Sequence, residues 1–269
     1  MNDFYNQNQS EGDASSIQIP RWKRGLDIFL ILLVLPLVLP LAVLIGIFIM
    51  LVSPGPILFR QERVGLLGRR FMCLKFRTMF VRAETASHEG YLSHLMDSNA
   101  PMQKLDNRGD SRIIPFGWLL RSSGLDELPQ LINVLRGEMS LVGPRPCLPY
   151  ESDKYLPWQR ERFNTLPGLT GLWQVSGKNR TTFNEMMQLD IRYSRSKTLW
   201  MDLVIIFKTV PAMIGQMVES RLKKRAAAQS NVPLPASVRT GNFAVSGIER
   251  ISRKNQPESL PWEHSRIEL

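Results

Sequence analysis

The amino-acid sequence predicts an α+β fold: a small membrane-associated domain with an N-terminal re-entrant, helix-break-helix membrane helix, interfacial helices and short strands. Three observations predict it. A long uncharged apolar segment near the N-terminus contains two prolines and is flanked by basic residues at both ends. A basic band follows in which apolar residues alternate loosely, as in a short strand. Further along, several windows carry apolar residues at helical spacing.

At 269 residues and 43% hydrophobic content, the chain suffices for one core domain plus appendages. A net charge of +10 and a pI near 9.9 demand an anionic partner, and nucleic acid, anionic lipid and phosphorylated substrates all qualify on composition. No docking motif for nucleic acid appears, and the membrane segment already accounts for the basicity. Cys73 and Cys147 have no second Cys and no His beside them, so neither a zinc site nor a disulfide framework is signalled, and a reduced, cytosolic environment fits.

Residues 1–20, rich in Asn, Gln, Ser, Asp and Gly, read as a disordered tail. Residues 21–58 form the membrane element. Ile28 to Val52 is uncharged and would make roughly 37 Å of helix, enough to span a bilayer. Arg21, Lys23 and Arg24 on one side and Arg60, Arg63, Arg69 and Arg70 on the other pull both ends toward the cytoplasm. Pro36 and Pro40 sit mid-segment, and a break at Leu39-Pro40 would leave two arms of about 18 Å, too short to cross a core of about 30 Å. A re-entrant helix and a proline-kinked spanning helix both remain open on these residues.

Residues 59–219 carry the globular part. Arg60 to Arg82 holds seven Lys or Arg and one acid, Glu62, a density that fits anionic headgroups at about 1 kcal/mol per basic residue. Within it, Phe71 to Met79 reads as a short strand aiming Lys75 and Arg77 one way. Residues 83–109 read as a surface helix and loop, in which His88 and His94 do not share a helix face and make no metal site. Phe183, Met186, Met187, Leu189, Ile191 and Tyr193 predict a helix. Leu199 to Met217 predicts an apolar helix interrupted by Pro211, in the core or at a membrane interface. Lys178-Asn179-Arg180 is either a phosphate-reaching or a solvated loop. Residues 220–269 read as a basic, disordered tail.

The richest window runs from Arg121 to Gly137. Leu128, Leu131, Ile132 and Leu135 fall at helical spacing, Gly137 is a stop signal, and Pro129 suits a first turn. Asp126 is then the natural N-cap, so a purely structural role is open to it. Its company points elsewhere: a helix start suits anions, and Arg112, Arg121 and Arg145 bracket the window in sequence. Arg145 lies between Pro144 and Pro146, which stiffen the backbone around one guanidinium. Adjacent carboxylates on a helix point about 100° apart, so Asp126 and Glu127 carry different roles.

Lys23-Arg24-Gly25-Leu26-Asp27, the apolar segment with Pro40, Ser53-Pro54-Gly55-Pro56 and Arg60-Gln61-Glu62-Arg63-Val64-Gly65 recur in this order with Lys75-Phe76-Arg77-Thr78-Met79 and Leu125-Asp126-Glu127-Leu128-Pro129-Gln130. Gly137 to Pro146 and Pro167-Gly168-Leu169-Thr170-Gly171-Leu172-Trp173-Gln174-Val175 complete the series. In this order and spacing, from about residue 21 to 215, the chain resembles the monotopic phosphoglycosyl transferases, the bacterial sugar transferases that make polyprenol-diphosphate sugars.

The resemblance implies a re-entrant membrane helix with its break at Pro40, Mg2+ as cofactor, and an aspartate that becomes covalently phosphoglycosylated. Asp126 resembles that nucleophile and metal contact, and Arg145 resembles a phosphate contact; Glu127 is placed with Asp126 in the catalytic pair, where holding metal and steering protons are both open to it. On this reading Lys75, Arg77, Arg112 and Arg145 neutralise substrate phosphate. The implied partners are a UDP-sugar, polyprenol phosphate and inner-membrane lipid at the cytoplasmic face, not nucleic acid, and a homo-oligomer is left open. The chain departs from the family pattern at Leu39, where Ser is usual, at Met50, often Lys, and at Gly124, where Ser or Thr is usual; the last is expected to loosen the turn before Asp126. With about 20 polar residues before Lys23, the chain resembles the short, catalytic-core form. Its Leu172-Trp173-Gln174-Val175-Ser176-Gly177 segment resembles members that use plain hexoses. A basic scaffold that only holds lipid would explain the charge, but not an acidic pair among arginines.

Overall fold

The computed structural model describes residues 19–80, 112–177 and 181–229, with side chains up to residue 215 in the last stretch. The expected surface segment at 83–109, both of its histidines and the Lys178-Asn179-Arg180 loop lie outside the described residues. The described residues up to 223 belong to one compact unit, and those from 224 to 229, the end of the last helix, to a second.

Helix α1, Arg21–Val52, carries the apolar segment. It is helical through Pro36 and Pro40, so the expected interruption at Pro40 is corrected: the run is continuous. Each proline removes one N–H and crowds the preceding turn, which bends a helix more readily than it ends one when the flanking turns stay hydrogen-bonded. Burial is confined to the ends of α1. Lys23, Asp27 and Ile31 are buried at one end and Ile45, Gly46 and Ile49 at the other, while no residue from 32 to 44 is buried.

After α1 the chain makes a hairpin of β1, Leu58–Val64, and β2, Arg70–Phe76, paired antiparallel from Leu58 with Phe76 to Val64 with Arg70. The expected strand is present but stops before Arg77. Helix α2, Gly117–Ser123, ends on Gly124, and a 3-10 turn, Leu125–Glu127, leads into α3, Gln130–Arg136. Gly137 caps α3 at φ 80° and donates to the Asn133 and Val134 carbonyls, the stop that the sequence predicts. Short strands β3, Ser140–Val142, and β4, Gly168–Thr170, pair in parallel. Between them lie α4, Pro149–Asp153, and a 3-10 stretch, Pro157–Asn164. Helix α5, Leu172–Val175, is followed by α6, Phe183–Ser196, and α7, Leu199–Gln229.

Helix α6 begins as its sequence dictates. Thr182 accepts from the Glu185 N–H, and the Glu185 carboxylate accepts from the Thr182 N–H in return. Helix α7 passes through Pro211 without interruption and continues ten residues beyond the expected start of the tail at 220. Its Asp202 and Ile205 are buried, whereas Trp200, Phe207, Val210 and Ile214 stand exposed, so one helix serves both as core and as an outward apolar face.

Apolar clusters hold these elements together, one of them joining Val142 of β3 to Tyr193 of α6 and Ile205 of α7, and three more built on the hairpin. Ile31 packs with Cys73, Val134 and Met139; Ile45 and Ile49 pack with Phe76, Ile114 and Leu120; and Val64, Cys147, Tyr155, Trp173, Phe183, Met186 and Met187 form the third. The hairpin contributes to all three.

The β3–β4 pairing brings two backbones into close approach at Gly143 and Gly168. A Cβ on Gly143 would stand under 3.0 Å from the Leu166 carbonyl and the Gly168 nitrogen, and one on Gly168 equally close to Gly143. Backbone cannot yield as a side-chain tip can. Gly143→Ala and Gly168→Ala are therefore expected to destabilise the protein by about 3 kcal/mol or more, read as a lowered midpoint in thermal unfolding of the detergent-solubilised protein. A midpoint within a degree of the native one would show that β3 and β4 can separate freely.

Candidate active site

The acidic pair sits in a chain of tight turns. Gly124 at φ 73° closes α2, after which the Glu127 N–H donates to the Gly124 carbonyl at 3.0 Å and the Leu128 N–H to Leu125 at 3.3 Å. The series continues with Leu131 to Leu128 and Ile132 to Pro129, both at 3.1 Å. Asp126 is thus inside a 3-10 turn and is not the N-cap of α3, which the structure assigns to Pro129. The physical reason is local. Pro129 needs no N–H partner and takes the cap position, so the carboxylates are placed one turn earlier. The expectation that Gly124 loosens this turn is also corrected, because a left-handed φ favours glycine over Ser or Thr.

Asp126 and Glu127 are both half-buried. Glu127 receives the Lys75 ammonium at 2.8 Å, across from the end of β2. The hairpin is tied to the helix after the acidic turn by Asn133, whose amide oxygen accepts from the Leu74 N–H at 3.0 Å and whose amide N–H donates to the Met72 carbonyl at 2.8 Å. Asn133 is fully buried and mimics a missing strand partner. Leu125 and Leu128, on either side of the acids, pack against the cluster that contains Ile45 and Ile49 of α1.

The Arg145 loop lies against the same hairpin. The Val64 N–H donates to the Cys147 carbonyl at 2.9 Å, and Arg63 donates to the Pro146 carbonyl at 3.0 Å. Buried Cys73, on β2, shows how near the parts are. Burial pushes its thiol up, and the charges of Lys75, Arg63, Glu127 and Arg145 all act on it. Cys147 is likewise free and buried, its thiol raised chiefly by burial.

The four cations expected to meet phosphate do not converge alike. Lys75 reaches Glu127, and Arg145 keeps a half-buried side chain 4.0 Å from Glu151. The backbone at Arg112 accepts from the Phe80 N–H where the two segments flanking residues 81–111 pair. Arg77 turns the other way: it is buried, and it donates to the Ser53 carbonyl at 2.6 Å and the Pro54 carbonyl at 2.8 Å, just beyond the end of α1. Residues 75 and 77 share a strand face only while the strand lasts, and it ends between them.

Several residues of this framework are not evident from the sequence alone. Lys23 reads there as a solvated topology charge, yet it is fully buried, donating to the Val142 carbonyl at 2.8 Å, the Tyr193 hydroxyl at 2.7 Å and Asp202 at 2.7 Å. Asp27 accepts from the Ser140 hydroxyl and the Leu141 N–H. Arg24 caps α3 through the carbonyls of Val134 and Leu135. The available signal was a polar residue at a helical position otherwise reserved for apolar ones, as at Asp27 and Asn133.

A family model for bacterial sugar transferases matches residues 19–216, covering the membrane helix, the acidic turn, the Arg145 loop and most of α7. The chain belongs to the bacterial sugar transferase family. This sugar transferase is 40% identical over 211 residues to a UDP-glucose:undecaprenyl-phosphate glucose-1-phosphate transferase of Caulobacter vibrioides, a match covering 76% of this chain and 73% of that protein. It is 38% identical over 193 residues to the exopolysaccharide production protein ExoY of Sinorhizobium fredii, covering 71% of this chain and 84% of that one. A UDP-galactose-lipid carrier transferase of Erwinia amylovora is 39% identical over 192 residues, 71% of this chain but only 40% of that longer protein.

The placement of Arg77 in this sugar transferase has a measurable consequence. Arg77→Ala removes two charge-assisted hydrogen bonds and leaves the Ser53 carbonyl without its donor, at a cost of about 2 kcal/mol. A lowered unfolding midpoint in detergent is the expected outcome, with Arg77→Lys intermediate; unchanged stability would release Arg77 from this structural role.

Proposed function

We propose that the protein transfers a hexose 1-phosphate from a UDP-sugar to undecaprenyl phosphate at the cytoplasmic face of the inner membrane, releasing UMP. The observation that carries this reading is the seating of the acidic turn on α1: Leu125 and Leu128 flank the two acids and pack with Ile45 and Ile49 of the apolar helix. A water-soluble sugar nucleotide and a lipid phosphate meet only where a polar site adjoins the membrane. The names of the Caulobacter and Sinorhizobium relatives support the substrates and a role in priming exopolysaccharide synthesis.

Two anions must be joined, and their mutual repulsion favours two displacements at one carboxylate over direct encounter. Asp126 attacks the sugar-proximal phosphorus, the bond to the UMP oxygen breaks, and a phosphosugar is held on the carboxylate. An oxygen of undecaprenyl phosphate then attacks the same phosphorus and expels Asp126. Lys75 holds Glu127 with one of its three donors and sets its cationic charge beside the acids. On this reading Arg145 and Arg112 neutralise phosphate charge.

Among the described residues no group of three His, Cys, Asp or Glu side chains gathers. Two adjacent carboxylates do suit Mg2+, which takes one or two protein oxygens and completes its shell with water and phosphate. Asp126 would hold it, and when bound it supplies neutralisation of phosphate charge.

The helix α1 is read as re-entrant. Ile31 joins a cluster with Cys73, and Ile45 and Ile49 join one with Phe76. Cys73 and Phe76 are about 10 Å apart along a strand, whereas Ile31 and Ile49 would be roughly 27 Å apart on a straight helix. A helix bent at Pro36 and Pro40 brings both ends to one hairpin and leaves residues 32–44 to the lipid. The exposed apolar face of α7 would then lie along the same interface.

Two outcomes test this. Incubation with a UDP-sugar labelled in the sugar, without polyprenol phosphate, should leave hydroxylamine-labile label on the protein and none on Asp126→Asn, which keeps the side-chain size but not the nucleophilic charge. Activity of Asp126→Asn within about tenfold of native would move the nucleophile elsewhere, because loss of a covalent nucleophile costs far more. For topology, single cysteines placed near residues 15 and 230 should both resist a membrane-impermeant thiol reagent in intact spheroplasts; labelling near 15 alone would establish a spanning helix.

A further inference from the structure

We propose that Arg63 and Arg162, the latter held by Asp190, are positioning residues that fix Arg145 for the transferring phosphate; this rests on the reading of Arg145 as a phosphate contact. The loop from Gly143 to Cys147 has a backbone difficulty. Pro144 and Pro146 carry no N–H and cannot extend a ladder, yet the loop is close to fully buried, where each carbonyl needs a donor. Four consecutive carbonyls find one. Pro144 takes the Gly168 N–H at 2.9 Å, Arg145 takes Arg162 Nη2 at 2.7 Å, Pro146 takes Arg63 Nη1 at 3.0 Å, and Cys147 takes the Val64 N–H at 2.9 Å. The two donors nearest Arg145 are therefore side chains, both guanidiniums and both buried.

Each guanidinium is itself held. Arg162 donates to Asp190 at 2.6 Å and to the Tyr155 hydroxyl at 2.7 Å, and Arg63 donates to Gln61 at 2.7 Å. Burial pushes the Asp190 carboxyl up to about 6 while Arg162 draws it down, so the pair is ionic at neutral pH. Glu151, also buried, lies 4.0 Å from Arg145. Two buried cations thus stand against two buried carboxylates, and the extra positive charge of this cluster belongs to Arg145, whose side chain is 30% exposed. With its backbone held at four successive carbonyls, Arg145 has only side-chain torsions left to settle when an anion arrives, which is the condition for strong charge stabilisation. Apolar residues could fill the space of Arg63 and Arg162 but would leave two carbonyls without donors.

The test is a double-mutant cycle on UMP release from UDP-glucose, in membranes supplied with undecaprenyl phosphate. Arg145→Ala is expected to lower kcat/KM about a hundredfold. Arg162→Gln should lower it about thirtyfold in the native background but less than about threefold in the Arg145→Ala background, because a positioning effect vanishes with the group positioned. Arg63→Lys keeps a cation and one donor, should cost about tenfold, and should show the same cancellation; it carries the cycle if Arg162→Gln fails to accumulate. Equal factors in both backgrounds, or no loss in the native one, would overturn the positioning role while leaving Arg145 as a phosphate contact. An inert Arg145→Ala would instead remove the underlying reading of Arg145, and the positioning role with it.

Discussion

An ammonium group with no access to water must find oxygens inside the protein, and Lys23 finds three: the Val142 carbonyl, the Tyr193 hydroxyl and Asp202. These belong to β3, α6 and α7, so one side chain near the start of α1 joins it to three elements more than 100 residues away in sequence. Four residues on, Asp27 extends the junction to Ser140 and Leu141. Removing one partner from such a buried pair leaves an uncompensated charge, at about 3–5 kcal/mol. An apolar anchor of equal size could bind as tightly, but it would not specify orientation, because packing tolerates rotation that three directed hydrogen bonds do not. The apolar helix α1 is thereby set at a defined angle to the elements that carry the acids.

The same device recurs across the domain. Among the described residues the sheets are two pairs of strands, so many buried backbone groups lie outside any ladder. Side chains supply what strands would have supplied. Asn133 completes β2, Arg24 caps α3, Arg77 takes the carbonyls after α1, and Arg63 with Arg162 takes those of the Arg145 loop. Part of the high basic content is therefore internal. A guanidinium suits this work because its donors are rigidly arranged and its charge strengthens each bond.

This framework has a direct bearing on the chemistry. The acidic turn is fixed on one side by the apolar contacts of Leu125 and Leu128 with α1, and on the other by Lys75 and Asn133 through β2. The hairpin also holds the Arg145 loop through Arg63 and Val64. Acid and arginine thus share one small support. For the proposed reaction, whose catalysis would be mostly positioning and charge stabilisation, a short support between the acidic turn and Arg145 is the relevant property.

Periodicity and chain punctuation were legible in the residues. The apolar segment, the helix stopped by Gly137, the capped start of α6 and the strand near Lys75 follow from local patterns of apolar spacing, glycine and proline, because those act over a few residues. The acidic pair and the proline-framed Arg145 also stood out, since charge amid stiff or helical sequence has few structural uses. What local pattern could not carry is which distant group a charge meets. In sequence Lys23 and Arg63 read as topology charges and Arg77 as a phosphate contact, while Arg162 and Asp190 stand in no pattern that singles them out. The carbonyls and carboxylates that Lys23, Arg63, Arg77 and Arg162 meet lie between 17 and 179 residues away, and only the tertiary structure brings them within about 3 Å.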